Sequence, residues 1–311
     1  MKNSIFFMLF IVSFVSCKQE TLKKIENPNI EVITLLGDTL VSLATKSGTA
    51  FDRYTVAKTA YEKHPSNADS LIWYGRRTAY LGQYQNAIAI FTEGTQKHPL
   101  DARMYRHRGH RYISTRQYDK AIADFEKAVL LIEGKEDMIE PDGLPNAKNI
   151  PLSTLHGNIW YHLGLAYYLK NDMSNALRAY SNRTVTEKYP DNIVSGGHWL
   201  YMIQRRMKKN EEANASISKV TKEMDIIENM SYHTMCQFYK GLLSEEEIAA
   251  GSVGTSSSDV INYGLGNWYL YEKQDTVKAK ALYKQLLDKG SKFSFAYLAA
   301  ESDWKRLFAN D

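Results

Sequence analysis

Two cysteines and seven prolines in 311 residues are too few for several kinds of architecture. Two thiols make one disulfide at most, so neither a disulfide-stapled scaffold nor a cysteine-rich zinc site is open to the chain. Scarce proline leaves room for long uninterrupted helices. An excess of one charge is also missing. The 39 Lys and Arg stand against 35 Asp and Glu, a net +4, which is too balanced for nucleic acid to be the expected partner. The hydrophobic fraction of 44% removes wholesale disorder.

Catalytic signatures are absent as well. The sequence has no Gly-rich phosphate loop, no Gly-x-Ser-x-Gly elbow and no His-Glu-x-x-His. Met138–Asn149 resembles a calcium loop only superficially, because Met138 stands at the first ligand position and Asn149 at the twelfth. His107 and His110 lie on adjacent helical turns with no third ligand at a metal-binding spacing. Ser153 and His156 have no orienting acid in sequence. No enzyme activity, cofactor or metal is expected.

At the N-terminus, Lys2 precedes an apolar run from Ile5 to Val15 that is broken only by Ser13. Eleven residues make about 16 Å of helix against a hydrocarbon core of roughly 30 Å, which suits a secretory signal better than a membrane span. Phe14-Val15-Ser16-Cys17 resembles the lipobox of bacterial lipoproteins, with Phe14 where leucine is usual. The resemblance implies cleavage after residue 16, lipidation of Cys17 and a lipid-anchored linker over 17–29. Cys17 is followed by Lys18 and not by the Asp associated with inner-membrane retention, so the resemblance favours the outer membrane. An ordinary cleaved signal with an incidental Cys17 is the alternative. Elsewhere no apolar run reaches the roughly 18 residues of a spanning helix.

What fills the rest is apolar residues at helical spacing and a repeat of 34. Gly75 and Gly109, Tyr84 and Tyr118, Ala87 and Ala121, and Phe91 and Phe125 all share that interval. In one unit the pattern runs Leu71, Tyr74, Gly75, Thr78, Ala87, Phe91, Gly94, Pro99. In the next it runs Tyr105, Arg108, Gly109, Tyr112, Ala121, Phe125, Ala128, with Glu133 where proline would close it. A third reads Trp160, Leu163, Gly164, Tyr167, Ala176, Tyr180. These residues resemble the tetratricopeptide repeat. The resemblance implies an all-α, right-handed solenoid of helical hairpins, each too small to bury its apolar face without a stacked neighbour.

The expected organisation after the linker starts with a degenerate hairpin over 30–67, with Ile30–Leu43 as its first helix and Phe51–Pro65 as its second. Two clear repeats occupy 68–133, and an inserted acidic, proline-containing loop occupies 134–156. Further hairpins fill 157–250, including a shortened one at Tyr232–Ala249. A Gly/Ser linker spans 251–258, with Ser258 or Asp259 capping the next helix. The C-terminal repeat and capping helix cover 259–311, its unit (Leu265, Gly266, Tyr269, Ala279, Tyr283) one residue out of register.

Helix geometry places positions 2, 5, 9, 12 and 13 of each first helix away from the buried face, and in tetratricopeptide proteins this stripe lines a concave peptide groove. Here it carries Asp69, Ile72, Arg76, Ala79 and Tyr80, then Arg103, Arg106, His110, Ile113 and Ser114, then Asn158, Tyr161, Leu165, Tyr168 and Leu169. Arginine forks suit carboxylates and tyrosines supply contact surface, so Arg76, Tyr80, Arg103, Arg106, His110, Tyr161 and Tyr168 are the candidate ligand residues. The lysine/asparagine clamp of chaperone-tail binders is not reproduced. Two other readings stay open. The arginines form a solvated face, or the acidic loop folds over the groove and stands in for a ligand. The expected function is a non-catalytic envelope scaffold that binds an extended, acidic protein or peptide segment. A part in outer-membrane assembly, a glycan-binding lipoprotein and a hydrolase around Ser153 and His156 are the alternatives. Arg205, Arg206, Lys208 and Lys209 are expected at a solvated helix end.

Overall fold

The computed structural model describes residues 30–42, 46–141, 143–184, 186–187, 189–251 and 255–309. The signal segment, Cys17 and the 17–29 linker lie outside the described residues, as does Asp142. The described chain is 67% helical, an all-α solenoid apart from one small hairpin of strands.

That hairpin corrects the expectation for the N-terminal unit. Ile30–Ile33 (β1) pairs antiparallel with Thr39–Val41 (β2), in the register Ile30↔Val41, Val32↔Leu40, Ile33↔Thr39. Apolar spacing over 30–43 could serve a helix. Yet four of the five apolar residues in the two strands, Ile30, Val32, Ile33 and Val41 beside Leu40, are β-branched, and Gly37 takes φ 96 in the turn between the strands. The helix expected after it does form, as Thr49–Lys63 (α1).

Hairpins follow in chain order. They are α2 (Ala68–Tyr80) with α3 (Tyr84–Lys97), α4 (Ala102–Ser114) with α5 (Tyr118–Ile132), α6 (Leu155–Leu169) with α7 (Met173–Thr184), and α8 (Pro190–Arg206) with α9 (Asn210–Ser216). The shortened pair α10 (Met230–Tyr239) and α11 (Glu245–Gly251) precedes α12 (Thr255–Trp268), α13 (Thr276–Lys289) and α14 (Phe295–Leu307). Side-chain caps start several of the helices: Asn67 accepts from Ser70 N, Asp101 from Arg103 N, and Thr154 from Gly157 N.

The repeated small residues sit where paired helices cross. A Cβ on Gly75 would lie 2.5 Å from the Phe91 ring, on Gly109 2.9 Å from Phe125, and on Gly164 2.6 Å from Tyr180. Gly266 faces Tyr283 in the same way. Glycine lets the first helix approach, and the ring from the second fills the space. Glycine and ring are sixteen residues apart in the first three pairs and seventeen in the fourth. A π-helical turn at Tyr269–Lys273 absorbs the extra residue, which explains the slipped register of that unit.

Two more expectations change. The 251–258 linker is shorter than expected, since α11 runs to Gly251 and α12 starts at Thr255. Asp259 therefore lies inside α12 and is no cap. Its buried carboxylate accepts from Ser291 N (3.0 Å) and Ser294 Oγ (2.7 Å), fixing the entry to α14. And α14 does more than cap α13. It also packs on α6 and α12, while Glu301 on it pairs with Arg116 beyond the end of α4 and accepts from Leu35 N after β1.

Candidate functional site

Asn67 and Asp101 start α2 and α4, and the Gly75–Phe91 and Gly109–Phe125 crossings hold each helix on its partner. One stripe of each is left facing the other side. There the structure brings together four of the seven candidate residues. Arg76, Tyr80, Arg106 and His110 line one small cavity with Ala79, Phe91, His107 and Arg111. Arg103 lies apart from that cavity, held by Asp69 (2.6 Å) and by its own helix cap Asp101 (2.6 Å).

The inserted loop lies over this groove. Its ends form short antiparallel rungs, Glu140 N donating to Ser153 O (3.0 Å) and Leu155 N to Met138 O (2.8 Å). The Asp137 carboxylate accepts from His156 N at the start of α6. Between the rungs, Glu140 reaches into the groove. Its Oε2 lies 2.9 Å from Arg106 Nε and accepts from Asn158 Nδ2 (3.1 Å), with both ionic side chains 9% exposed. Arg76 donates to Pro141 O (2.9 Å), Arg77 donates to Gly143 O (2.7 Å), and Gly143 rests against the Tyr80 ring. A carboxylate and two backbone carbonyls of the inserted loop thus occupy the arginines.

Crowded cations set the electrostatics. Burial and the neighbouring guanidinium groups hold His107, His110 and His162 well below the usual imidazole value, so all three are neutral. Arg106 Nη1 lies 3.2 Å from His107 Nδ1, a donor facing an acceptor nitrogen. The His110 and His162 rings meet at 4.4 Å, and Phe295 of α14 closes over both. Burial pushes Arg111 down to about 10. No hydrogen bond or ion pair holds its guanidinium among the described residues, and it lies 5.5 Å from the Tyr84 ring.

Tyr161 and Tyr168 do not join the groove. Tyr161 is buried, accepts from Trp199 Nε1 (2.8 Å) and lies 3.3 Å from the Tyr232 hydroxyl. Tyr168 is 2% exposed and shares a hydrogen bond with Tyr263 of α12 (2.7 Å). The superhelix brings α8, α10 and α14 over Tyr161 and α8 and α12 over Tyr168, so the expected passage from a cationic to an aromatic lining is corrected. The same closure draws in Arg206, expected in solvent. It is buried against the Tyr168 ring and paired with Asp303 of α14. Arg205 reaches Glu272.

His162 and Arg77 escaped the sequence reading, and Arg111 entered it only as part of a solvated arginine face. Arg77 and Arg111 lie outside the stripe, and His162 reaches His110 only because α4 and α6 pack side by side. Among the described residues, no group of three His, Cys, Asp or Glu could hold a metal ion, and no helix is long and apolar enough to cross a membrane.

Residues 75–137 match the tetratricopeptide repeat family. No curated protein matches the chain. Among solved structures, the chain is similar to a tetratricopeptide repeat protein from Parabacteroides merdae, at 18% identity and TM-score 0.48, over 82% of this chain and 92% of that one. It is also similar to YrrB, described as a tetratricopeptide protein with an unusual peptide-binding site. That match has 17% identity and TM-score 0.43, over 79% and 98% of the two chains.

Proposed function

We propose that the chain is a non-catalytic, protein-binding scaffold whose groove between α2 and α4 takes an extended acidic segment of a partner. The observation that carries this reading is Glu140. A loop segment bearing a carboxylate already lies in the groove, with Arg106 on the carboxylate and Arg76 and Arg77 on backbone carbonyls. A partner segment of the same chemistry could use the same donors once the loop moves aside. Arg103, at the neighbouring stripe position, extends the cationic edge.

The test uses a labelled peptide with the sequence of residues 136–145 and a version with every acid replaced by its amide. In Glu140→Gln, whose loop has lost its ionic anchor, the acidic peptide is expected to bind saturably, and at least tenfold more weakly once Arg76→Ala and Arg103→Ala are added. Equal binding of the acidic and amide peptides would refute the reading.

The lipobox-like Phe14-Val15-Ser16-Cys17 supports a second part of the proposal, that a lipid on Cys17 tethers this scaffold to the bacterial envelope at the outer membrane. Metabolic labelling with palmitate is expected to mark the protein and to fail with Cys17→Ala. Label retained by the variant would remove the tether.

A further inference from the structure

The cavity between α2 and α4 has more positive charge than the described residues around it neutralise. Three guanidinium groups line it, those of Arg76, Arg106 and Arg111, with the imidazoles of His107 and His110 and with Phe91 as an apolar wall; no carboxylate is among the described lining residues. Glu140 answers Arg106 alone, from the loop side. Arg76 spends its hydrogen bonds on neutral oxygens, Pro141 O and the Tyr80 hydroxyl, and stacks on Trp73. Arg111 has no hydrogen-bond or ion-pair partner among the described residues and only the Tyr84 ring beside it. Partly buried cations left unanswered are costly, and a fold that gathers them beside a cavity gains most when an anion enters it.

The histidines fit the same occupant. Arg106 donates to His107 Nδ1, so the single proton of that neutral ring stays on Nε2. A neutral imidazole held this way can give a hydrogen bond to an oxyanion without adding to the crowded positive charge. The space is about 90 Å³. That is room for one phosphate- or carboxylate-sized group.

We propose that this cavity is a binding site for a single compact oxyanion, phosphate or carboxylate in chemistry, held by the guanidinium groups of Arg76, Arg106 and Arg111. The site is separate from the acidic-segment groove in one decisive residue on each side. Arg111 lines the cavity and takes no part in holding the loop, whereas Arg103 lies on the groove and outside the cavity. The proposal stands whether or not the groove takes a partner segment.

Calorimetric titration of the purified protein with inorganic phosphate, against sodium chloride at matched ionic strength, tests it. A saturable one-to-one isotherm and a rise in melting temperature are expected for phosphate and not for chloride. Arg111→Gln is expected to weaken phosphate at least tenfold, and Arg103→Gln to leave it within twofold. Should Arg111→Gln fail to fold, Arg76→Gln serves instead. Phosphate heats that do not saturate, or that Arg111→Gln and Arg76→Gln leave unchanged, overturn the proposal.

A parallel titration with phosphoserine identifies the source of the anion. Tenfold tighter binding than inorganic phosphate assigns the site to a group carried on a larger molecule, and equal or weaker binding assigns it to the free ion. The two readings also fail separately. If phosphate saturates the wild type while the acidic loop peptide does not bind Glu140→Gln, the groove reading falls and the cavity stands. The reverse result removes the cavity and keeps the groove.

Discussion

Each glycine–ring crossing works as a single unit of packing, and Gly109 shows how little tolerance it has. A methyl there would stand 2.9 Å from two Phe125 ring atoms, and Phe125 is fully buried. Overfilling of this kind costs about 1–3 kcal/mol. Gly109→Ala is expected to shift the urea midpoint accordingly, and adding Phe125→Leu should recover part of the loss because the smaller side chain vacates the contested space. Purely additive losses in the double variant would show that the two positions do not share a crossing. The buried histidines make a second demand, this time on pH. In the unfolded chain each imidazole takes a proton near pH 6.5. In the fold, His107, His110 and His162 resist protonation to much lower pH, because burial disfavours their charged forms and the guanidinium groups of Arg106 and Arg111 add to it, while burial alone pushes His198 down to about 3. Below pH 6.5 the unfolded state therefore binds more protons than the native state, and stability falls as pH falls, by about 1.4 kcal/mol per pH unit for each histidine. A melting temperature that drops steeply between pH 7 and 5 is expected, and less steeply in His110→Phe. A flat profile would mean that the rings are not neutral in the fold.

At the scale of elements, α14 and the turn after α4 are joined by a buried ion pair. Arg116 Nε lies 2.9 Å from Glu301 Oε2, with side chains 2% and 0% exposed, and Arg116 adds hydrogen bonds to Ser114 O and Lys292 O. Removing one charge strands the other in a poorly solvated place, at about 3–5 kcal/mol. Glu301→Gln is expected to cost that much in urea unfolding. Glu301→Gln combined with Arg116→Met should be milder than the single change, because the double variant buries no lone charge. If the double is worse, the pair contributes net stability beyond its own desolvation. This contact also marks where sequence reading stopped. The helical pairs were legible because their cause is local: Gly75 and Phe91 are sixteen residues apart, so period and spacing show in the chain itself. The groove residues Arg76, Tyr80, Arg106 and His110 were legible for the same reason. The partners of Arg116, Arg206, Tyr161 and Tyr168 come from helices far along the chain, and no local pattern specifies how tightly the superhelix turns. At β1 and β2 the signal is local too, since the β-branched Ile30, Val32, Ile33 and Val41 favour a strand against the helical spacing of the apolar positions.

Considered as a whole, the molecule departs from the behaviour expected of a helical array. In an open solenoid each repeat touches only its neighbours, so removing the last element weakens mainly the repeat beside it. Here α14 packs on α6, α12 and α13, its Glu301 neutralises Arg116, and its Asp303 neutralises Arg206 of α8. Phe295 covers His110 and His162, and the Phe293 ring lies tilted against Tyr84 of α3 at 4.7 Å. A chain ending at Gly290 would keep α12 and α13 intact in sequence, yet would leave two buried arginines without counter-charges and the rings on α4 and α6 open to water. Loss should therefore spread far from the cut. Hydrogen–deuterium exchange is expected to show reduced protection across α4, α6 and α8 in the truncated chain, as well as in α12 and α13. Point variants Glu301→Gln and Asp303→Asn should reproduce the α4 and α8 components separately. Protection lost in α12 and α13 alone would identify an ordinary end-capped array, in which the contacts of α14 with the earlier helices contribute little to holding them in place.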